Sequence, residues 1–376
     1  MPLNHTVLAP SVVTKVISRI AVPGNTVSRF LGFEEGGRNV EDSPGDGVRS
    51  YTYDIMDNVR SIAEGRTPGT GPGTVTVNSL GSNTVTIARA YEKIPDLSYE
   101  MLSNIRQIGA NAGVLDRRGM QYLERQGRFM QQRQTNFREF LSWGMLRGSV
   151  QFSISGDRWI PVLSGGNVSI DWRIPTANKS QLNMLGGGDL VTASWATAGT
   201  DIPAHLDSIS AAFQQLVGAP LSWIMTDSVV WNHVLNNTKV QGQSGTANTV
   251  FDLFEMTAEK GPDGNLTGLR RAVLKCRPWI EWWITDGGLD VNGTFTKYFS
   301  GGEAAMGVDL GLGYAKMQQG SEWVKESPWG SPVLQRGFHA WLREWDEPAR
   351  VELHTINNIV PELTVPKALA FADVVF

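Results

Sequence analysis

Imidazole is the usual proton carrier and metal ligand near neutral pH, so the five histidines are the natural first candidates for chemistry. They are His5, His205, His233, His339 and His354, and no two stand three or four residues apart. No local metal-ligating pair is therefore built on a helix or strand. His233, close to Trp231 on an expected helix, reads as a packing residue. His354 shares an expected strand face with Glu352 and reads as exposed. The carboxylate pairs Glu34/Glu35 and Glu344/Asp346 read as solvated loop charge, since spacing alone makes no acid/base couple. Asp286-Gly287-Gly288 lacks the acidic ladder of a calcium loop. The glycine clusters at Gly69–Gly73 and Gly311–Gly313 are not part of a GxxxxGK[ST] loop. Pro72 and the missing strand-to-helix context argue against dinucleotide binding, so both clusters read as turns. There is no GxSxG elbow and no HExxH motif. Cys276 is the one cysteine. It excludes an internal disulfide or a CxxC metal pair, fits a reducing compartment, and reads as a small buried group in a strand. No catalytic residue, cofactor or metal is expected.

The arginines are the one unusual grouping. Between Ser98 and Arg147 there are eight, at 106, 117, 118, 125, 128, 133, 138 and 147, and no lysine. The acids there are Glu100, Asp116, Glu124 and Glu139, so eight minus four leaves +4, and the rest of the chain carries −8 of the total −4. Two readings stay open for Arg117, Arg118, Arg125, Arg128 and Arg133. Their exposed face meets phosphates, which guanidinium binds bidentately; or they pair with acids on neighbouring elements or subunits. With no reader motif, any contact with DNA is sequence-independent.

The elements that would hold these groups follow from the pattern. The chain has 376 residues, 41% apolar and 19% charged, with 13 Trp and 41 Gly. That is ordinary globular composition, long enough for one large domain or two interleaved ones. The first residues do not form a signal peptide, and no run approaches the ~18 apolar residues that cross a membrane. Residues 1–48 read as an extended arm. Its Val12, Val13, Val16, Ile17, Ile20, Phe30, Leu31 and Phe33 must be buried somewhere, and a neighbouring subunit is the natural place. Residues 49–92 alternate as strands at Arg49–Ile55, Thr74–Val77 and Thr84–Ile87. Four glycines and two prolines fall between Ile62 and Gly73, giving a long hairpin with a tip of no regular structure. Such a ribbon is marginal alone and needs a surface to lie on.

Residues 93–148 read as helical: a short segment from Asp96 or Ser98 to Ile108, then a long helix over Val114–Leu146. Beyond Gly186–Gly188, Asp201 caps a helix with Pro203 in its first turn and Gly218 at its end. Leu221–Met225 reads as a buried strand and Asp227 as the cap of a second helix. Leu269–Cys276 and Trp279–Ile284 read as paired strands. Val351–Ile356 is a strand by alternation. Pro361, Leu363 and Pro366 read as loop, and Ala368–Phe376 as a last apolar strand. The class is α+β.

This order resembles the HK97-like fold of tailed-bacteriophage major capsid proteins, lambda-type major head proteins in particular. Three stretches carry the resemblance. The first is Val59–Gly73 followed by Ile87–Leu97. The second runs from Asn265-Leu-Thr-Gly-Leu269 through Trp283 and Asp286-Gly-Gly to Tyr298–Met306. The third is Trp345–His354 with Ile359–Leu363 and Phe371–Val375. The resemblance implies an N-terminal arm (1–48), an E-loop hairpin (49–92), a peripheral domain with a spine helix (93–195), an axial domain (196–336) and a return strand, loop and C-terminal strand (337–376). It implies an icosahedral shell of hexamers and pentamers around double-stranded DNA, built in the host cytoplasm and carried in the virion. Inter-subunit contacts are expected from Arg60, Glu64 and Arg66 on the hairpin and from Val16, Ile20 and Phe30 on the arm. Scaffolding, portal and decoration proteins are the expected partners besides the chain itself, with no membrane. Because the arm begins almost at Met1, the scaffold is separate or the chain is already processed. Some relatives crosslink this hairpin through a lysine, but Arg49–Glu92 contains none, so a covalent bond there is not expected. Two other readings use the same observations: an encapsulin-type compartment shell, and an α/β hydrolase or transferase.

Overall fold

The structure, a computed structural model, describes residues 13–14, 17, 26–43, 49–56, 79–97, 117–243, 254–260, 266–291, 293–325, 331–346 and 349–376. In chain order they form α1 (Val27–Leu31), β1 (Val40–Asp42), β2 (Ser50–Met56), β3 (Ser79–Thr86), β4 (Ala88–Leu97) and α2 (Arg117–Arg147). Next come β5 (Ser149–Ser155), β6 (Arg158–Val162), β7 (Val168–Asp171), β8 (Lys179–Ser180), α3 (Ile202–Leu216), β9 (Trp223–Thr226), α4 (Ser228–Leu235) and α5 (Thr238–Gln243). Then follow β10 (Phe254–Lys260), β11 (Leu266–Leu274), β12 (Glu281–Thr285), β13 (Gly288–Val291), β14 (Thr294–Lys297), β15 (Glu303–Gly307) and β16 (Ala315–Gln319). The last are β17 (Ser321–Val324), β18 (Val333–Arg336), β19 (Phe338–Asp346), β20 (Ala349–Leu363) and β21 (Leu369–Asp373).

Two sheets organise these elements. A seven-stranded sheet runs β10-β11-β12-β9-β15-β21-β8. Its central strands are almost wholly apolar: Ile224 and Met225, Trp282 and Ile284, Ala304–Met306, Leu369–Ala372. The expected α3 forms because Asp201 accepts from the Ala204 amide at 3.1 Å and closes its first turn. Asp227 caps α4 on Val230 in the same way, at 3.0 Å. Trp231 of α4 then packs on Trp282, ring centres 5.3 Å apart, and edge-on to Phe254 at 5.5 Å.

The second sheet is arranged on β20. This 15-residue strand pairs with β4, β19 and β16, and β1 adds to β16 in parallel. The helix α2, about 46 Å long at ~1.5 Å per residue, spans both sheets. Toward its start, Leu123 and Met130 join Leu97, Val351 and Leu353 in one core. Toward its end, Trp143 donates from Nε1 to the Tyr298 carbonyl at 2.6 Å. Arg147 bonds Glu303 at 3.2 Å and lies over the Trp143 and Phe371 rings, each 5.1 Å away.

Several expectations need correction. The arm's Val13, Ile17, Val27, Phe30, Leu31 and Phe33 are buried in their own chain, so no neighbour is required to cover them; Val12, Val16 and Ile20 lie outside the described residues. Lys93–Leu97 is strand, because pairing with β20 overrides the capping signal of Asp96; residues 98–116 lie outside the described residues. Pro361 and Leu363 belong to β20, where Pro361 faces Met317 and its carbonyl accepts from Trp172 Nε1 at 2.7 Å. Proline is tolerated where no amide proton is needed. Cys276 sits half-buried in the turn after β11, not in a strand. His354 is buried, at 2% exposure, and not on a solvated face.

Candidate assembly surfaces

The hairpin β2–β3 pairs only with itself among the described residues. Alternation puts Tyr51, Tyr53 and Ile55 inward, with Ser50, Thr52, Asp54 and Met56 outward. Tyrosines anchor its base. Tyr51 and Tyr53 stack at 5.9 Å, and Asn83 Nδ2 donates to the Tyr53 hydroxyl at 3.0 Å and to the Asp171 carbonyl at 2.9 Å. Burial and the Glu362 carboxylate it bonds push the Tyr51 hydroxyl up to about 12. The two strands lead into residues 57–78, and Arg60, Glu64, Arg66 and Thr74–Val77 lie there, outside the described residues.

The arm is seated by α1. Glu139 of α2, fully buried, accepts from the Val27 amide at 3.0 Å, the Ser28 amide at 3.2 Å and the Ser28 hydroxyl at 2.7 Å. It thus satisfies the free amides that begin α1. Burial raises its carboxyl to about 7, against the hydrogen bonds from Ser28 and Val27, which favour the charged form. Phe30 is edge-on to Trp223 at 4.8 Å and tilted on Trp283 at 5.1 Å. It is 8% exposed, and in this structure it is a core residue and not an exposed contact of the arm.

The arginine row of α2 divides. Arg138 is buried among Glu35, Glu139 and Glu34. Arg147 is clasped as described. Arg133 grips Glu92 of β4 through two nitrogens, one contact at 2.6 Å. Arg125 and Arg128 are exposed and have no ion-pair partner among the described residues. They flank Phe129, 57% exposed, on one stripe of the helix. Arg117 and Arg118 open the helix.

A network on the second sheet escaped the reading of the sequence. The His354 ring lies flat on Trp341, 5.1 Å between centres, and near Tyr91 at 5.8 Å. Its Nε2 is 2.9 Å from Glu352 Oε2 and its Nδ1 is 2.8 Å from the Tyr91 hydroxyl. An ionised carboxylate only accepts, so Nε2 carries the proton and Tyr91 donates to Nδ1. Lys93 reaches the other Glu352 oxygen at 3.1 Å. Burial opposes charge on Glu352, but bonds from Trp345, His354 and Lys93 outweigh it and hold the carboxyl down to about 2. Burial also holds His354 below its usual range. The i, i+2 spacing of Glu352 and His354 was visible; the pairing that covers them, across β4 and β19, was not.

An open cavity of about 490 Å³ lies beside α1, floored by Phe30, Trp223 and Trp283. Its charged rim balances Arg29, Arg38 and Arg271 against Glu259, Glu281 and Asp309, and Arg271 already pairs with Glu281. Among the described residues, no group of three or more His, Cys, Asp or Glu could hold a metal ion, and no helix is long and apolar enough to cross a membrane.

No protein-family model matches the sequence, and no curated protein matches it. Solved structures do. A crystal structure described as a candidate prophage capsid protein of E. coli CFT073 is 14% identical, with a TM-score of 0.52, covering 97% of this chain and 98% of that one. A phage-related protein of Bordetella bronchiseptica RB50 is 9% identical, TM-score 0.46, over 97% of this chain and 96% of that chain. The capsid structure of the cyanophage P-SCSP1u is 9% identical, TM-score 0.44, over 94% and 89%. Of these three the first alone exceeds a TM-score of 0.5, and at its identity the likeness is one of fold. The match takes in nearly the whole chain, hairpin, long helix, both sheets and closing strand included, and the chain has the HK97-like capsid fold.

Proposed function

We propose that the chain is the major capsid protein of a tailed bacteriophage, a non-enzymatic subunit that assembles as hexamers and pentamers into an icosahedral shell enclosing double-stranded DNA. The observation that carries this reading is the hairpin: a two-stranded ribbon fixed at its base by Tyr51 and Tyr53 and paired with no other described strand. The inward face of its base, Tyr53, Ile55 and Val85, is buried on its own subunit, so contact with a second copy falls to the outward face, where Met56 is 60% exposed, and to residues 57–78. In this reading α2 and the β20 sheet make the peripheral domain and the seven-stranded sheet makes the axial one. Arg60, Glu64 and Arg66 at the hairpin, and Val16 and Ile20 on the arm, contact neighbouring copies. A separate scaffold, a portal and a decoration protein are the other partners, and the mature location is the virion after assembly in the host cytoplasm. The arm contributes less than the sequence suggests, since Phe30 is occupied within its own subunit.

Deleting residues 60–73 leaves a soluble, folded chain that forms no closed shells, seen by electron microscopy and sedimentation. Normal particles from the deletion would refute the assignment. The free arginines of α2 face the enclosed DNA. Replacing Arg125 and Arg128 together with Gln weakens binding of the chain to double-stranded DNA and lowers the slope of log affinity against log salt by about 2, one unit per lost phosphate contact. An unchanged slope removes these two residues from the DNA surface and leaves pairing between subunits.

A further inference from the structure

A knob and a hole lie on different parts of the chain. The hole is the cavity beside α1, about 490 Å³ and open to solvent, the size of small-ligand clefts, ~300–1,000 Å³. Phe30, Trp223 and Trp283 form its floor, and Trp279, 53% exposed, stands on its wall. Most charges of its rim are already engaged: Arg271 pairs with Glu281, Arg29 with Glu34, and Glu259 has a partner of its own. Arg38 and Asp309 are exposed and make no ion pair among the described residues. The hole thus presents one free cation and one free carboxylate beside an aromatic floor. The knob is the hairpin β13–β14, which pairs with no other strand among the described residues. Leu289 and Val291 turn inward and are buried, while Asp290, Phe295 and Lys297 are exposed. Strand alternation and the register Asp290↔Phe295 put these three side chains on one outward face. Phe295 is 63% exposed and does not line the cavity of its own subunit. Its ring leans over Gly288, where a Cβ would lie 2.8 Å from the Phe295 Cζ. Asp290 and Lys297 make no ion pair among the described residues. The Asp286 charge near Lys297 is already bonded to Arg270 and Ser228. An aromatic ring this exposed, set beside one acid and one base, is the chemical counterpart of the hole.

We propose that Phe295 of one copy enters the cavity of the next, with Asp290 meeting Arg38 and Lys297 meeting Asp309. The inference rests on the shell reading for its partner, a second copy of this chain, and names the surfaces that join copies within a ring. Knob and hole are different surfaces, so the contact is heterologous, and repeated head to tail it closes a ring. Phe295 and Trp279 become the buried aromatic anchors, and the two ion pairs fix the register between copies.

Charge reversal in the full chain tests the contact. Arg38, Asp290 and Phe295 are exposed, so their replacement leaves the fold intact, which circular dichroism checks. Arg38→Glu and Asp290→Arg are each expected to lower the fraction of chain in particles by about tenfold, read by sedimentation and electron microscopy. The two reversals combined in one chain restore particles, because the ion pair re-forms with its signs exchanged. Phe295→Asp lowers the fraction by at least as much as either reversal. Normal particles from Phe295→Asp, or no recovery in the double reversal, overturn the contact and leave the shell reading standing. A wild-type chain that forms no particles removes both.

Discussion

At the scale of single residues, most consequences come from charges buried with partners. Glu352 is 1% exposed and its carboxyl is held down to about 2. A group lowered from 4.5 in the folded state adds stability above that value and loses it as pH falls toward 2. Glu352→Gln is expected to cost about 2 kcal/mol at neutral pH, the scale of hydrogen bonds to a buried charged group, since its partner Lys93 is itself half exposed. Urea unfolding at pH 5 and pH 3 checks the cause: wild type loses more stability over that interval than Glu352→Gln does. Equal losses in the two proteins mean that another group sets the acid response. Such sites were hard to read from sequence because a charged residue in a strand looks the same whether its far face meets water or another strand. Glu139 left no clearer trace, since its neighbours at helical spacing are Thr135, Asn136, Ser142 and Trp143, a mostly polar set that does not announce a buried face. Of the described histidines, His205, His339 and His354 are buried polar members of the core: Trp195 Nε1 is 3.2 Å from His205 Nδ1, and His339 is 3.1 Å from the Thr14 hydroxyl.

At the scale of elements, the helices announced themselves best. The caps at Asp201 and Asp227 and the apolar spacing of α2 are local signals, and each marks a real helix end or face. The strands at Lys93–Leu97 and Ile359–Leu363 were missed, because what makes them strands is the ladder partner 250 or more residues away in one case and β16 in the other. Glycine in the long helix illustrates the same dependence on tertiary context. Gly144 weakens helix propensity by ~1 kcal/mol relative to alanine, yet an added Cβ would lie 1.7 Å from Val150 Cγ1 on β5. Gly144→Ala is therefore expected to destabilise by about 1–3 kcal/mol despite the better helix former. Adding Val150→Ala to Gly144→Ala should recover part of that loss in chemical denaturation. If the alanine stabilises on its own, the close approach of α2 and β5 does not limit packing.

At the scale of the whole molecule, two sheets share one long helix, which packs on β4, β20, β5 and β21. The described parts of arm and hairpin both find cover within the chain, Val27, Phe30, Leu31 and Phe33 on one side and Tyr53, Ile55 and Val85 on the other, although β2 and β3 extend no other sheet among the described residues. The position of β21 has one more effect. It lies inside the seven-stranded sheet, with β15 on one side and β8 on the other, although every other strand of that sheet is synthesised before it. A nascent polypeptide on the ribosome holds an open slot between β15 and β8 until residues 369–373 emerge. Completion of that sheet therefore waits for residues 369–373, and a chain made only as far as β20 presents an unfinished body to its neighbours.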